Sequence, residues 1–284
     1  MRRRYLHGQT SCGPVDFAAL LCYICSIEVT KIPDKISSFK ITDQETKLEV
    51  MGCDSMGLTE EIKNLLHDNG ADLVGIGDMS KVEYCDFSIG ISVAIALPSD
   101  IITALQKAPT KEYYSLYHSL NRKLNGIVMA GESFLKDKGF EAYAQTTERV
   151  EVGPNKISRL PHKTVATRAG LGWIGKNCLL VTPQYGSAIR ISSLLTNAPL
   201  ECNEPINQSR CGACTLCVND CPAQALRGTL WTVGTQREKI MDIGKCREKQ
   251  IEIMYQNTGI KTDLCGKCFA VCAYTRKYLK NAAL

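Results

Sequence analysis

The sequence has no continuous run of about 18 apolar residues, the length that a membrane-spanning helix requires. It also has no strong excess of charge of one sign. A formal net charge of +5 permits an anionic partner but does not by itself indicate a nucleic-acid-binding protein. Cysteine is too sparse for a small disulfide scaffold, since 15 in 284 residues is about 5%, below the roughly 8–10% of such proteins.

Fifteen cysteines are nevertheless many for a chain that is long enough to fold around a hydrophobic core. Hydrophobic residues make up 44% of the chain and charged residues 22%, a composition typical of a globular protein. Massed cysteines in a protein of this size favour metal ligation over disulfides. The composition therefore predicts a folded protein that binds metal.

The pattern along the chain predicts three segments. Residues 1–50, which open with Met1-Arg2-Arg3-Arg4, are interpreted as an extension of doubtful order. Residues 51–200 mix helical and strand patterns and predict an α/β (α+β) cofactor and substrate domain. Residues 201–284 hold nine of the fifteen cysteines and little apolar periodicity, which predicts a small ferredoxin-like domain. The arginine pair is also typical of twin-arginine export, but no A-x-A site follows it, so a cytoplasmic location is expected.

Helices are predicted from Thr59 to Gly70, from Thr110 to Gly139 and over Thr164–Ala169, because apolar residues recur there at helical spacing. Short apolar runs bounded by turn residues predict the strands. These are Ala71–Gly77, Ser88–Leu97, Phe140–Gln145, Arg149–Val152, Cys178–Thr182 and Ala188–Leu195.

The densest cysteine run is Cys211-x-x-Cys214-x-x-Cys217-x-x-x-Cys221-Pro222, which has the spacing of bacterial ferredoxins and their proline. In that spacing the first three thiolates surround one cluster and the fourth binds a second cluster. The sequence supplies four more thiols, at Cys246 and in Cys265-x-x-Cys268-x-x-x-Cys272. Eight cysteines thus predict two [4Fe–4S] clusters.

Exchange of the last cysteine between the two halves predicts which thiols share a cluster. Cluster one is assigned Cys211, Cys214, Cys217 and Cys272, and cluster two is assigned Cys221, Cys246, Cys265 and Cys268. Thr262 stands where a regular repeat would carry a cysteine, and Cys246 is the predicted substitute. A pair of zinc sites also uses CxxC pairs, but the third cysteine and the Cys-Pro step favour iron–sulfur clusters.

Residues Gly170-Leu171-Gly172-Trp173-Ile174-Gly175-Lys176-Asn177 match the glycine pattern of dinucleotide-binding loops and nearly match that of phosphate loops. Both motifs need a strand before them and a helix after them, whereas here a helical pattern precedes and a strand pattern follows. Neither nucleotide site is therefore predicted. The glycines indicate that the backbone approaches something closely, and a flat cofactor would satisfy that.

The run Leu160–Asn177, together with the cysteine run over 211–222, resembles epoxyqueuosine reductase and its shorter relatives, and the resemblance extends over about Thr59 to Leu279. It implies a cobalamin-dependent oxidoreductase, related to reductive dehalogenases, in which two [4Fe–4S] clusters pass single electrons to cobalt. It also implies that residues Gly170 to Asn177 line the corrinoid site.

Two features depart from that family. The reductases continue into helical repeats that help to hold tRNA, whereas this sequence stops at Leu284, so tRNA is a doubtful partner. Their G-R-D-Y-H run carries the proposed proton donor, an aspartate. Its best match here is Ser115-Leu116-Tyr117-His118, with Leu116 in the place of the acid. Tyr117 and His118 of this run are catalytic candidates, and so is His162, which opens the glycine segment near the expected cofactor. Core packing is the alternative for Tyr117, simple exposure for His118, and a structural or solvated role for His162.

Together these features predict reductive chemistry on an unidentified small molecule or modified nucleoside. Electrons would come from a donor such as a ferredoxin or flavodoxin. The alternatives are an electron-transfer protein of the ferredoxin type, or a corrinoid reactivating or handling protein, that serves a partner enzyme. The enzyme is favoured because an α/β domain of the predicted size exceeds what an electron carrier needs.

Overall fold

The structure is a computed structural model that describes residues 57–150, 153 and 158–282. The predicted extension 1–50, with its export alternative, lies outside the described residues, as do residues 151 and 152 of one predicted strand. Among the helices of the described ranges, none is long and apolar enough to cross a membrane.

The central sheet has four strands: β1 (Leu73–Asp78), β2 (Ile89–Ala96), β3 (Ala142–Ala144) and β6 (Ile189–Thr196). Their order across the sheet is β1-β2-β6-β3, and β2 pairs with β6 from Ile89↔Thr196 to Ala96↔Ile189. The strands β4 (Trp173–Ile174) and β5 (Leu180–Val181) form a separate ribbon. Every pairing between these strands is antiparallel, so the fold takes the α+β form of the predicted class.

Nine helices are described around these strands. They are α1 (57–68), α2 (Ser99–Leu105), α3 (Lys111–Asp137), α4 (His162–Arg168), α5 (Leu216–Asn219), α6 (Arg237–Ile240), α7 (Ile243–Thr258), α8 (Lys267–Ala270) and α9 (Ala273–Ala282). The long helix begins as predicted, because the Thr110 hydroxyl accepts a hydrogen bond from the Tyr113 amide at 3.2 Å. Gly139 follows it with a φ of 87°, a value typical of a residue that ends a helix.

Helices α3 and α4 cover opposite faces of the sheet. Leu194 of β6 lies against α3 at Gly131, and Leu195 packs with Val165 of α4, because neighbouring residues of a strand point to opposite faces. A Cβ on Gly90 of β2 would lie only 2.8 Å from Val165. Because Gly90 has no side chain, α4, which begins at His162, packs closely against the sheet.

The strand predicted over Arg149–Val152 is wrong in its described part. The Arg149 amide donates to the Thr146 carbonyl at 3.1 Å, and the Val150 amide donates to the same oxygen at 3.0 Å. The Arg149 side chain reaches the buried Glu132 carboxylate on α3 at 2.7 Å. A turn anchored by this ion pair therefore takes the place of the strand.

The segment after residue 200 is mostly loops and short helices, but it contributes to two hydrophobic clusters. Met254, Leu264, Phe269 and Ala270 join the main core with the sheet and α3. A smaller cluster packs Trp173, Val181, Trp231 and Ile240 together, with six of the predicted ligand cysteines against it. The division into domains 51–200 and 201–284 stays a prediction.

Candidate functional site

Four cysteines from two distant segments line one small cavity: Cys211, Cys214 and Cys217 around the start of α5, and Cys272 just before α9. These are the four thiols that the sequence assigns to cluster one. Lys176, Asn177, Val181, Ala273 and Tyr274 complete the wall. The chain thus brings Cys272 back to the loop that carries the other three.

The environment of these thiols fits a metal-bound group. Burial, and after it the nearby thiols of Cys272, Cys211 and Cys214, raises the pKa of Cys217 to about 12. Thiols must lose their protons to bind iron, and a bound metal supplies the positive charge that favours this. Four thiols that line one cavity are the donor set of a [4Fe–4S] cluster.

A second group contains the four thiols assigned to cluster two. Burial raises the pKa of Cys268 well above its usual range, and the thiols of Cys265 and Cys246 add to this effect, with a smaller one from Cys221. Cys246 projects from α7 and accepts a hydrogen bond from Gln250 Nε2 at 2.9 Å. Cys221 accepts one from the Ala225 amide at 3.4 Å. Such N–H donors are also among the groups that tune cluster sulfurs.

The two groups are neighbours, since the Cys217 thiol also raises the pKa of Cys268. The zinc alternative requires about four side chains arranged around one ion. In the part of the chain that the structure describes, no group of three or more His, Cys, Asp or Glu side chains is arranged to hold a single metal ion.

The glycine motif packs against the chain itself. A Cβ on Gly172 would overlap the Val181 carbonyl oxygen, and a Cβ on Gly170 would lie 2.8 Å from the Glu204 carbonyl oxygen. The φ of Gly170 is 70°, which side chains disfavour. The close approach inferred from the glycines is therefore made by neighbouring backbone. The glycines do not form an open surface that fits a flat corrinoid.

The remaining motif residues connect the strand ribbon to the first cysteine group. The Lys176 ammonium donates to the Gly212 carbonyl at 2.8 Å and to the Cys214 carbonyl at 3.0 Å. Asn177 donates to the Ser187 hydroxyl at 2.9 Å. Trp173 is 1% exposed and meets Tyr274 edge-on, with ring centres 4.9 Å apart. Residues predicted to bind a corrinoid thus form one wall of the cysteine cavity.

His162 lies in a hydrogen-bonded chain on the α4 side of the sheet. Its Nδ1 is 2.7 Å from the Ser193 hydroxyl, which donates to Gln145 Oε1 at 2.6 Å. Because that hydroxyl has one proton to give, the assigned bonds make His162 Nδ1 the donor and leave Nε2 as an acceptor. Burial, together with the positive charge of Arg190, lowers the pKa of His162 to about 4. At neutral pH His162 is therefore an uncharged ring whose Nε2 can accept a hydrogen bond.

Tyr117 is partly buried, and its ring packs against the guanidinium of Arg190. The Arg190 guanidinium lies 4.2 Å from the centre of the Tyr117 ring and donates to Asn121 Oδ1 at 2.7 Å. Arg190 Nε is buried without a hydrogen-bond partner among the described residues. His118 is exposed and meets the Tyr117 ring edge-on at 5.4 Å. Tyr117 and His118 thus lie beside Arg190 on the α3 side of the sheet, whereas His162 bonds to Ser193 on the α4 side.

Tyr113 connects this polar region with the second cysteine group. Burial raises its pKa well above the usual value and Arg190 opposes the shift, while Tyr117 and the thiols of Cys268 and Cys265 add to it. Sequence reasoning did not identify Tyr113 or Asn121 as site residues. Their position one turn before and one turn after Tyr117 on α3 was the available signal.

No family model matches the chain. The epoxyqueuosine reductase of Lactococcus garvieae is 31% identical over 204 residues, which is 66% of this chain and 51% of the relative. The Bacillus subtilis enzyme is 33% identical over 144 residues, 48% of this chain and 34% of the relative. The chain therefore spans about half the length of the first of these relatives, or less of the second.

Solved structures show the same fold at lower identity. An epoxyqueuosine reductase bound to an epoxyqueuosine-modified tRNA stem loop superimposes with a TM-score of 0.52 and 21% identity, over 78% of this chain and 66% of the other. A catabolic reductive dehalogenase superimposes with a TM-score of 0.56 and 19% identity, over 81% and 34%. The chain is therefore similar in sequence to epoxyqueuosine reductases, and it shares the fold of these solved structures.

Proposed function

We propose that this protein is an iron–sulfur oxidoreductase that passes single electrons through two [4Fe–4S] clusters to reduce an oxidised substrate. One observation carries the proposal: Cys272 returns from the last part of the chain to the cavity lined by Cys211, Cys214 and Cys217. That exchange is what a two-cluster ferredoxin arrangement requires. The similarity to epoxyqueuosine reductases supports the same chemistry.

The residues of the chain would hold and orient the groups involved. The first cysteine group is backed by the glycine motif, and the second lies beside Tyr113. Tyr113 in turn neighbours Arg190 and Tyr117, which form a polar region beside the sheet. We therefore infer that the substrate or the electron acceptor binds at this polar region. The clusters, when bound, supply one electron at a time.

Cobalamin is the acceptor that the family resemblance favours, and a related reductive dehalogenase is described as B12-dependent. The glycines pack against neighbouring backbone and do not supply the flat surface that a corrinoid needs. An epoxyqueuosine-containing tRNA is the substrate class that the family suggests. An electron-transfer protein without a substrate of its own is the second candidate, supported by the ferredoxin spacing of the cysteines.

Reconstitution of the full chain with iron and sulfide under anaerobic conditions tests the cluster part of the proposal. The wild type should bind about eight iron and eight sulfide, two cubane clusters, per chain. Cys214→Ser and Cys265→Ser should each lose one cluster. Cys202→Ser is the matched control, because Cys202 is exposed and outside both groups. Stoichiometric zinc in place of iron would refute the assignment.

Cobalamin binding and turnover then separate the candidates. Cluster-loaded protein is mixed with cobalamin, and the visible spectrum and retained cobalt are measured after gel filtration. Reduction of an epoxyqueuosine-modified tRNA stem loop is assayed with a chemical reductant. Turnover supports the enzyme. Clean cluster redox without cobalamin binding or turnover supports the electron carrier.

A further inference from the structure

The most buried cation beside the cysteine groups is the side chain of Lys176. It is 6% exposed and lines the cavity of the first group. Its ammonium donates to the Gly212 and Cys214 carbonyls at 2.8 and 3.0 Å. Both carbonyls belong to the loop between Cys211 and Cys217. In the described part of the chain, no carboxylate forms an ion pair with it within 4.0 Å.

A lysine in this position has two physical consequences. Its hydrogen bonds hold the loop in the conformation that presents three thiols to one cavity, because bonds from a charged donor are stronger than those between neutral groups. Its positive charge is only weakly screened in a buried site. Such a charge favours whichever redox state of a neighbouring group is more negative.

We propose that Lys176 positions the loop of cluster one and raises the reduction potential of that cluster relative to cluster two. The inference rests on the proposed function, since it assumes that the cysteine groups hold clusters. The reduction is a one-electron step in which a reduced donor of the ferredoxin or flavodoxin class is oxidised. The electron adds one negative charge beside the ammonium, and no bond to Lys176 forms or breaks.

Three substitutions separate the charge from the hydrogen bonds. Lys176→Gln keeps a donor for the loop carbonyls and removes the charge. Lys176→Arg keeps both, and Lys176→Met removes both. Lys63→Met is the matched control, because Lys63 lies on α1 and pairs with Glu60 at 3.1 Å at the surface.

The midpoint potentials of both clusters are measured by anaerobic redox titration followed by electron paramagnetic resonance. The cluster-two signal is identified in Cys214→Ser, which should lack cluster one. In Lys176→Gln the one-electron equilibrium of cluster one should shift at least about tenfold toward the oxidised state, which is about 59 mV. Cluster two should move by less than half of that. Lys176→Arg and Lys63→Met should match the wild type.

Iron and sulfide content is measured first, so that the two hypotheses fail differently. A wild type without clusters refutes the proposed function. A fully loaded Lys176→Gln with wild-type potentials refutes the inference about Lys176. Loss of cluster one in Lys176→Gln but not in Lys176→Arg supports the charge role, through assembly. Loss of cluster one in Lys176→Met, Lys176→Gln and Lys176→Arg alike overturns the proposed effect of the charge, because only the positioning of the loop would then matter.

Discussion

Replacement of Gly172 by alanine distinguishes internal packing of the glycine motif from a role in lining a cofactor. The new Cβ would overlap the Val181 carbonyl oxygen and lie 2.9 Å from the carbonyl carbon. The neighbour is backbone of the β5 strand and cannot rotate away, so the two segments must separate. If Gly172 instead faced a cofactor, alanine would weaken cofactor binding and leave the stability of the cofactor-free protein unchanged.

The expected cost follows from the severity of this overlap. Extra methyl groups in well-packed regions typically destabilise proteins by about 1–3 kcal/mol, and a clash with backbone belongs near the upper limit. At roughly 2–4 °C per kcal/mol for a domain of this size, Gly172→Ala should lower Tm by roughly 6–12 °C. The measurement is thermal or urea unfolding of cluster-loaded, cobalamin-free protein, followed by circular dichroism.

Gly126→Ala provides the matched control. Gly126 is exposed in the middle of α3, and nothing lies within 4 Å of the position its Cβ would take. The same substitution should therefore stabilise the protein there by about 0.5–1 kcal/mol, because glycine weakens helix interiors. Equal stability of Gly172→Ala and wild type, with the expected gain in Gly126→Ala, would contradict internal packing of the motif.

Three further predictions concern His162, the contact between Tyr117 and Arg190, and the helix cap at Thr110. The pKa of His162 falls from its ordinary 6.5 to about 4, so the unfolded chain binds more protons in that window. The free energy of unfolding should rise by up to about 3 kcal/mol from pH 4 to 6.5, keep that gain above pH 6.5, and lose the dependence in His162→Asn. In urea unfolding, a double-mutant cycle of Tyr117→Leu and Arg190→Met should give a coupling of about 1 kcal/mol, and strict additivity would contradict their contact. Thr110→Ala should cost about 1 kcal/mol in the same assay through loss of the helix cap, and Thr110→Ser only a few tenths.

The sequence predicted best what depends on local pattern. The strands near β1, β2 and β6 and the long helix that starts at Thr110 were predicted within a few residues, because burial of one face leaves a periodic apolar signal. Pairing direction was less accessible, since single strands do not show whether their neighbours run parallel. Arg149 illustrates the limit: its strand-like neighbours gave no sign that a buried carboxylate on α3 would hold it in a turn.

The candidate site shows the same contrast between features set by local sequence and features set by long-range contacts. Cysteine spacing predicts two groups of four, because the ferredoxin arrangement is a local rule with one long-range exchange, and the four thiols of the first group line one cavity. Arg190, Asn121 and Tyr113 carried no motif, and only the packing of α3 on β6 brings them together. The glycine motif was read correctly as a place of close backbone approach. The sequence could not show which segments approach the glycines, because Val181 and Glu204 come next to Gly172 and Gly170 only in the folded chain.

Under the proposed function, the arrangement predicts a direction of electron flow. The first cysteine group is backed by Lys176 and Asn177 of the glycine motif. The second group is the one that neighbours Tyr113, and through it Arg190 and Tyr117. Electrons would therefore enter at cluster one and leave from cluster two. A higher potential at cluster one, set by Lys176, would then hold the first electron until the acceptor at the polar region draws it onward.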